Sequence, residues 1–185
     1  IVGCIYKGVV KNIVPAVDGI FVDIGIGKNA FLRRKDLLNE KRFPTEGSPI
    51  LAQVIKSDTD MKGALITEKI SMFGKYAVTL SGTGYIGVSK KIRQESVRKR
   101  LKEIGKEICA EHMGLIIRTA AENADMDEFR KDITRLKENW DIIQKRFRME
   151  KSPTLLYRES DIIVKALRDY VNKGTEILIT CLSYT

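Results

Sequence analysis

Cysteine, histidine, proline and tryptophan are scarce in this 185-residue chain: three cysteines, one histidine, four prolines and one tryptophan. Cys4, Cys109 and Cys181 lie far apart without a CxxC pair, which excludes a disulfide scaffold. With His112 as the lone imidazole they make no zinc site of conventional spacing, and free thiols point to a reducing, cytoplasmic setting. No apolar run approaches the roughly 20 residues of a membrane helix, so no membrane partner is expected. A start methionine and a leader are also missing: the sequence opens at Ile1, which reads as a fragment of a longer, non-secreted chain. What remains is ordinary globular material, 43% hydrophobic and 31% charged, enough for one or two compact units.

The charge is not ordinary. The net formal charge is +9, and residues 69–118 carry +7 of it, from 11 basic and 4 acidic side chains. Residues 1–68 carry +2 and residues 119–185 are balanced at 12 and 12. A concentrated positive field attracts polyanions better than dispersed charge. A membrane surface would need a basic amphipathic helix with bulky anchors. The helix expected over 94–111 instead interleaves glutamates with lysines, and its apolar face, Val97, Leu101, Ile104 and Ile108, suits packing on a domain. Nucleic acid is the better polyanion.

Residues 3–14 read as a bent strand with Gly8 inside it, and Pro15 ends it. Further strands are expected at 19–24, 28–32, 50–56 and 63–68, with a polar connection over 33–48 that holds one helical turn near Asp36. Five short strands with a longer break after the third match a closed OB-type barrel, an architecture that commonly binds oligonucleotides. Phe21 and Phe31 fall in adjacent strands near Lys7, Lys28 and Lys62. Exposed aromatic faces stack unpaired bases. Residue type alone leaves core packing open for both.

Beyond the barrel, residues 76–80 and 85–89 suggest a hairpin around Ser81-Gly82-Thr83-Gly84. Lys90, Lys91 and Arg93 follow at once, where they would meet a phosphate chain. Gly114 to Arg118 reads as a buried strand that ends in Arg118-Thr119, a guanidinium fork and a hydroxyl suited to gripping a phosphate. Taken alone the pair is a weak signal, and an ordinary surface strand end explains it better. The longest helix is expected over 125–148, capped by Asp125 with Glu128 three residues on. Phe129, Ile133, Leu136, Trp140, Ile143 and Phe147 form its apolar stripe, which makes Trp140 a core residue. A strand over 154–158, a helix over 160–171 and a strand over 176–181 complete the pattern.

The run IYKGVVKNIVPAVDGIFVDIGIGKNAFL resembles the RNA-binding barrel of the ribonuclease E/G family of endoribonucleases. MKGALITEKISMFGKYAV, IGVSKKI, GLIIRTAAENA and ESDIIVKALRDYV continue the likeness in the family's order. The resemblance implies an α+β chain: an OB-type barrel over 1–68, a mixed α/β 5′-monophosphate sensor domain over 69–163, and an incomplete ribonuclease-H-like piece over 164–185. It implies that Phe21, Phe31 and Lys62 contact single-stranded RNA. Arg118 and Thr119 would hold the RNA 5′-monophosphate, with Gly74 and Val78 lining the same pocket, and Lys90, Lys91 and Arg93 would add backbone charge. The likeness fades after about Ile179, so the last twenty or so residues are expected to rest on the sensor region or to be poorly ordered.

No catalytic centre is expected here. Phosphodiester hydrolysis of this class needs carboxylates converging on a divalent metal. Asp58 and Asp60 share a loop with Lys62, Asp125, Asp127 and Glu128 sit at a helix start, and Asp161 and Asp169 are two helical turns apart. The family's magnesium-binding aspartates lie downstream of this chain, so it is expected to bind RNA without cleaving it, as a monomer or weak dimer. Two rival readings are an OB-fold module of a translation or ribosome-associated protein, in which Arg118 is irrelevant, and a scaffold that docks partners through the long helix.

Overall fold

The computed structural model describes residues 1–109, 113–159, 162–171 and 175–176. Five strands close the barrel: β1 (Ile5–Val14), β2 (Gly19–Asp23), β3 (Ala30–Arg33), β4 (Pro49–Lys56) and β5 (Leu65–Thr67). Their order is β1-β2-β3-β5-β4, and β1 pairs β4 to complete the ring. Only β3–β5 is parallel among these contacts. All five strands stand where the strand runs and their glycine and proline breaks put them, shifted by a residue or two at their ends. Lys11 is an extra residue in β1, since the register against β2 slips between Val10 and Asn12. That bulge bends the strand, so its first half can face β4 and its second half β2.

The second sheet follows the order β6-β7-β9-β8, with β6 at Ser71–Phe73, β7 at Ala77–Ser81, β8 at Ile86–Val88 and β9 at Met113–Ile117. This corrects the hairpin expected around residues 81–84. The strand partnered with β7 through a tight turn is β6, and β9 lies between β7 and β8, antiparallel to one and parallel to the other. The reason is burial: β9 contributes Met113, Leu115 and Ile117 to the core. Such a strand gains most in the centre of a sheet. Helices α1 (Glu95–Ile108) and α2 (Met126–Met149) cover the inner face. Phe129, Ile133, Leu136 and Ile143 of α2 are buried, while Trp140 and Phe147 pack partly buried against the same core.

The two cores meet along β1. Strand β10 (Thr154–Tyr157) pairs antiparallel with the first half of β1, as a sixth strand on the barrel's sheet, and Ile5 and Leu156 are buried in the second core. The expected strand over 154–158 is therefore used to join the units. Gln53 of β4 reinforces the seam, since its amide donates to Ser71 O at 2.8 Å and accepts from Ser71 N at 2.9 Å. Helix α3 (Ile162–Tyr170) follows. The strand expected over 176–181 falls almost wholly outside the described residues, as do His112 and Cys181.

Both ends of α2 are tied down. Asp125 caps the N-terminus, accepting from the N–H groups of Asp127 at 2.8 Å and Glu128 at 3.2 Å. The Glu128 carboxylate accepts the Tyr76 hydroxyl at 2.8 Å, and Asp132 accepts the Tyr76 N–H at 2.8 Å. At the other end Lys7 of β1, nearly buried, donates to the carbonyls of Phe147 and Glu150 at 2.7 Å each. Its ammonium also lies 5.0 Å from the Phe147 ring centroid. Arg146 donates to the backbone carbonyls of Leu155 and Leu156 and pairs with Glu150.

Two consequences are measurable. Lys7→Met leaves two helix-end carbonyls without their donor and should lower unfolding free energy by about 2 kcal/mol in urea denaturation; an unchanged midpoint would show the contact is dispensable. Burial above all, and then the bond to Glu128, push the Tyr76 hydroxyl up to about 12. A raised folded value means its contribution is fully present below pH 10 and is lost as pH rises toward 12. Burial also pushes the Tyr6 hydroxyl up, so absorbance titration of the six tyrosines should show a late component, and Tyr76→Phe should remove its latest part.

Candidate nucleic-acid interface

The barrel presents one groove of about 670 Å3, lined on its apolar side by Val17, Phe21, Phe31, Met61 and Leu65. Phe21 and Phe31 are directly opposite in the β2–β3 ladder and half-buried, with ring centroids 5.4 Å apart and planes at 53°. They face the groove and do not belong to the barrel core, which closes the alternative that residue type had left open. Gly63 makes the groove's shape possible, because a Cβ there would lie 1.9 Å from the Asn29 carbonyl oxygen. The loop over 57–62 is held from below: Lys28 donates to the carbonyls of Thr59 at 2.9 Å and Asp60 at 2.8 Å. Met61 stands 93% exposed on that loop, and Lys62 beside it is exposed too.

Two of the three lysines expected near the aromatics are thus engaged within the fold. Lys7 caps α2 and Lys28 staples the loop, because unpaired carbonyls at a helix end or in a turn need donors. Lys62 lines the groove as expected. Lys56, Asn29, Val17 and Met61 line it too and were not anticipated. A proline-started turn at Val17 and a loop methionine carry no stacking signal in the sequence.

The second assembly lies at one end of the second sheet. Arg118 follows β9; its N–H donates to Tyr76 O at 2.8 Å, and its guanidinium donates to the carbonyls of Gly74 at 2.8 Å and Lys75 at 3.3 Å. The side chain is part-buried. Gly74 is required by crowding, since a Cβ there would lie 2.3 Å from an Asp132 carboxylate oxygen. Thr119 is exposed, and its hydroxyl lies 3.0 Å from that of Ser89. Lys90, Lys91 and Arg93 are all exposed on the turn after β8, and buried Ile92 pins that turn to the core.

Arg98 of α1, counted among the basic residues of this segment, has an internal task. It donates to the carbonyls of Ser89 at 2.7 Å and Ile92 at 2.9 Å, and so holds the turn's shape. Val78 sits on the sheet's outer face, in register with Phe73 on one side and Ile116 on the other. Phe73 is 48% and Ile116 40% exposed, so the three form an apolar row two residues from Arg118. Phe73 and Ile116 were not foreseen: Phe73 lies in a three-residue strand that shows no alternation to read, and the run over 114–118 reads as a buried strand, which hides that Ile116 faces outward. The structure thus gathers Gly74, Arg118, Thr119 and the Lys90–Arg93 turn at one sheet end, and leaves Val78 on the adjoining face.

Among the described residues no three of His, Cys, Asp and Glu come together as a metal site. The described residues therefore bring together no donor set for the magnesium centre that the resemblance implies for a complete enzyme. No helix among them is long and apolar enough to cross a membrane.

Comparison with known proteins adds two matches. Residues 1–67 match the S1 RNA binding domain, and residues 71–181 match the Ribonuclease E/G family. The chain is 35% identical to Ribonuclease G of Escherichia coli (strain K12), in an alignment covering 93% of this chain and 39% of that protein. It is 34% identical to Ribonuclease G of Haemophilus influenzae, over 95% of this chain and 39% of the relative. It is also 35% identical to Ribonuclease E of Synechocystis sp., over 96% of this chain and 28% of the relative. The chain therefore spans about two fifths or less of the relatives it matches. An S1 barrel leading into a family match over more than half of its residues makes this chain a member of the Ribonuclease E/G family.

Proposed function

We propose that this chain is the RNA-binding and 5′-end-sensing portion of a ribonuclease E/G-type endoribonuclease. Residues 1–68 form the RNA-binding barrel, residues 69–163 the 5′-monophosphate sensor, and residues 164–185 the start of a ribonuclease-H-like part. The observation that carries the reading is the meeting of Arg118, Thr119 and the Gly74 turn beside the exposed cations Lys90, Lys91 and Arg93. An arginine anchored by two carbonyls is oriented in advance, which favours a planar, multi-oxygen anion. Val78, with Phe73 and Ile116 beside it, offers an apolar surface for the terminal base. Phe21, Phe31 and Lys62 supply stacking and charge to the downstream strand, with Lys56 adding to the charge.

The partner is single-stranded RNA, whose unstacked bases the groove can take. The parent would cut such RNA with magnesium in RNA processing and decay, by residues in the portion of its relatives that this chain does not span. Here the chain acts in the cytoplasm, as a monomer or weak dimer, and binds RNA without cleaving it.

Short single-stranded RNAs bearing a 5′-phosphate or a 5′-hydroxyl test the reading. The wild-type chain should bind the phosphorylated end more tightly, and Arg118→Ala should lower that preference about tenfold, the worth of a charge-assisted contact. Phe21→Ala should weaken both RNAs alike, by about 1–3 kcal/mol for the base it stacks. Affinity should fall with salt at a log–log slope of about 0.7 per neutralised phosphate. Equal affinity for both ends, unmoved by Arg118→Ala, would sink the sensor assignment and leave a plain RNA-binding module.

A further inference from the structure

The turn after β8 carries a hydroxyl with no role in the grip described so far. Ser89 Oγ lies 3.0 Å from Thr119 Oγ1, and the Lys91 backbone N–H donates to the same serine oxygen at 3.3 Å. The serine is rigidly placed. Its own N–H donates to Ile117 O at 2.9 Å, its carbonyl accepts from Arg98 at 2.7 Å, and the buried Ile92 side chain anchors the turn three residues on.

Proton counting gives this arrangement a direction. A serine or threonine hydroxyl has one proton and two acceptor positions. Only one proton can lie between two hydroxyl oxygens 3.0 Å apart. When Thr119 points its proton outward at an anionic oxygen, its own oxygen must accept from Ser89. Ser89 is suited to donate, because accepting from the Lys91 N–H polarises its O–H bond. A chain then runs from the Lys91 N–H through Ser89 and Thr119 to the anion, with each proton used once. A terminal phosphate, acceptor on all its oxygens, completes that chain at charge-assisted strength, whereas a neutral 5′-hydroxyl gains much less from it.

We propose that Ser89 is a positioning residue that fixes the Thr119 hydroxyl as a donor to the RNA 5′-phosphate, and that it thereby sets part of the preference for phosphorylated ends. This rests on the assignment of Arg118 and Thr119 to the terminal phosphate.

The test compares Kd for 5′-phosphorylated and 5′-hydroxyl RNA on the full 185-residue chain. Ser89→Ala should lower the ratio about fivefold, the worth of one hydrogen bond, while 5′-hydroxyl RNA binds as before and so reports an intact fold. Ser89→Thr, which keeps the hydroxyl, should retain the ratio. Thr119→Val should lower it, and adding Ser89→Ala to Thr119→Val should bring no further loss, because the serine acts only through the threonine. The proposal is overturned if Ser89→Ala leaves the ratio intact, weakens both RNAs alike, or costs as much in the Thr119→Val background. It is equally overturned if Ser89→Thr behaves like Ser89→Ala, since the turn's shape would then be the cause. A wild-type chain without end preference, or a preference that survives Arg118→Ala, removes the underlying assignment as well. A preference lost in Arg118→Ala and Thr119→Val but untouched in Ser89→Ala removes this inference alone.

Discussion

One ammonium group ties the barrel to everything that follows it. The last carbonyls of a helix have no partners within it and form the negative end of its dipole. Lys7, on a barrel strand, supplies donors to two of them in α2. Helix α2 has 24 residues and so runs about 36 Å. Its far end is capped by Asp125 and bonded to Tyr76, in the turn whose carbonyls orient Arg118. A rod pinned at both ends fixes how far the turn that orients Arg118 stands from the barrel. The Gln53–Ser71 pair and the β1–β10 ladder brace the same seam from the other side.

The same logic shows why formal charge overstates the binding surface. Of the basic residues over 69–118, Arg98 holds a turn, Lys69 donates to the Lys35 carbonyl and pairs with Glu40, and Lys75 donates to the Val171 carbonyl. In the barrel Lys28 is likewise committed to a loop. A cation held by backbone carbonyls orders the fold first. The exposed cations Lys90, Lys91 and Arg93 cluster on one turn, which makes their field local and directional.

What the sequence disclosed, and what it hid, follows from the range of each interaction. The barrel strands were legible because strand-forming runs and glycine or proline punctuation are local signals. The α2 stripe from Phe129 to Phe147 was legible because a period of 3.6 shows within one segment. The order of the second sheet was not, because placing β9 between β7 and β8 depends on burial gained across about thirty intervening residues. Lys7 and Lys28 look like Lys62 in a sequence, and only three-dimensional proximity to unpaired carbonyls separates them. Ser89 was invisible for the same reason: its partner Thr119 is thirty residues away.

In the proposed reading, the two surfaces differ in the physics they use. The barrel groove offers aromatic stacking, which tolerates any base, beside the charge of Lys56 and Lys62. The sheet end offers a fork, a hydroxyl and nearby cations, which depend on charge and on the end's chemistry. Each offers only a few contacts, and alone would hold RNA weakly. Joined by a helix pinned at both ends, they act on one strand, and engagement of the first raises the effective concentration of the second. Selectivity then rests with the sheet end and general affinity with the barrel. That division requires a stiff link: a strut free to swing about the Lys7 end would blur the spacing and dilute the gain.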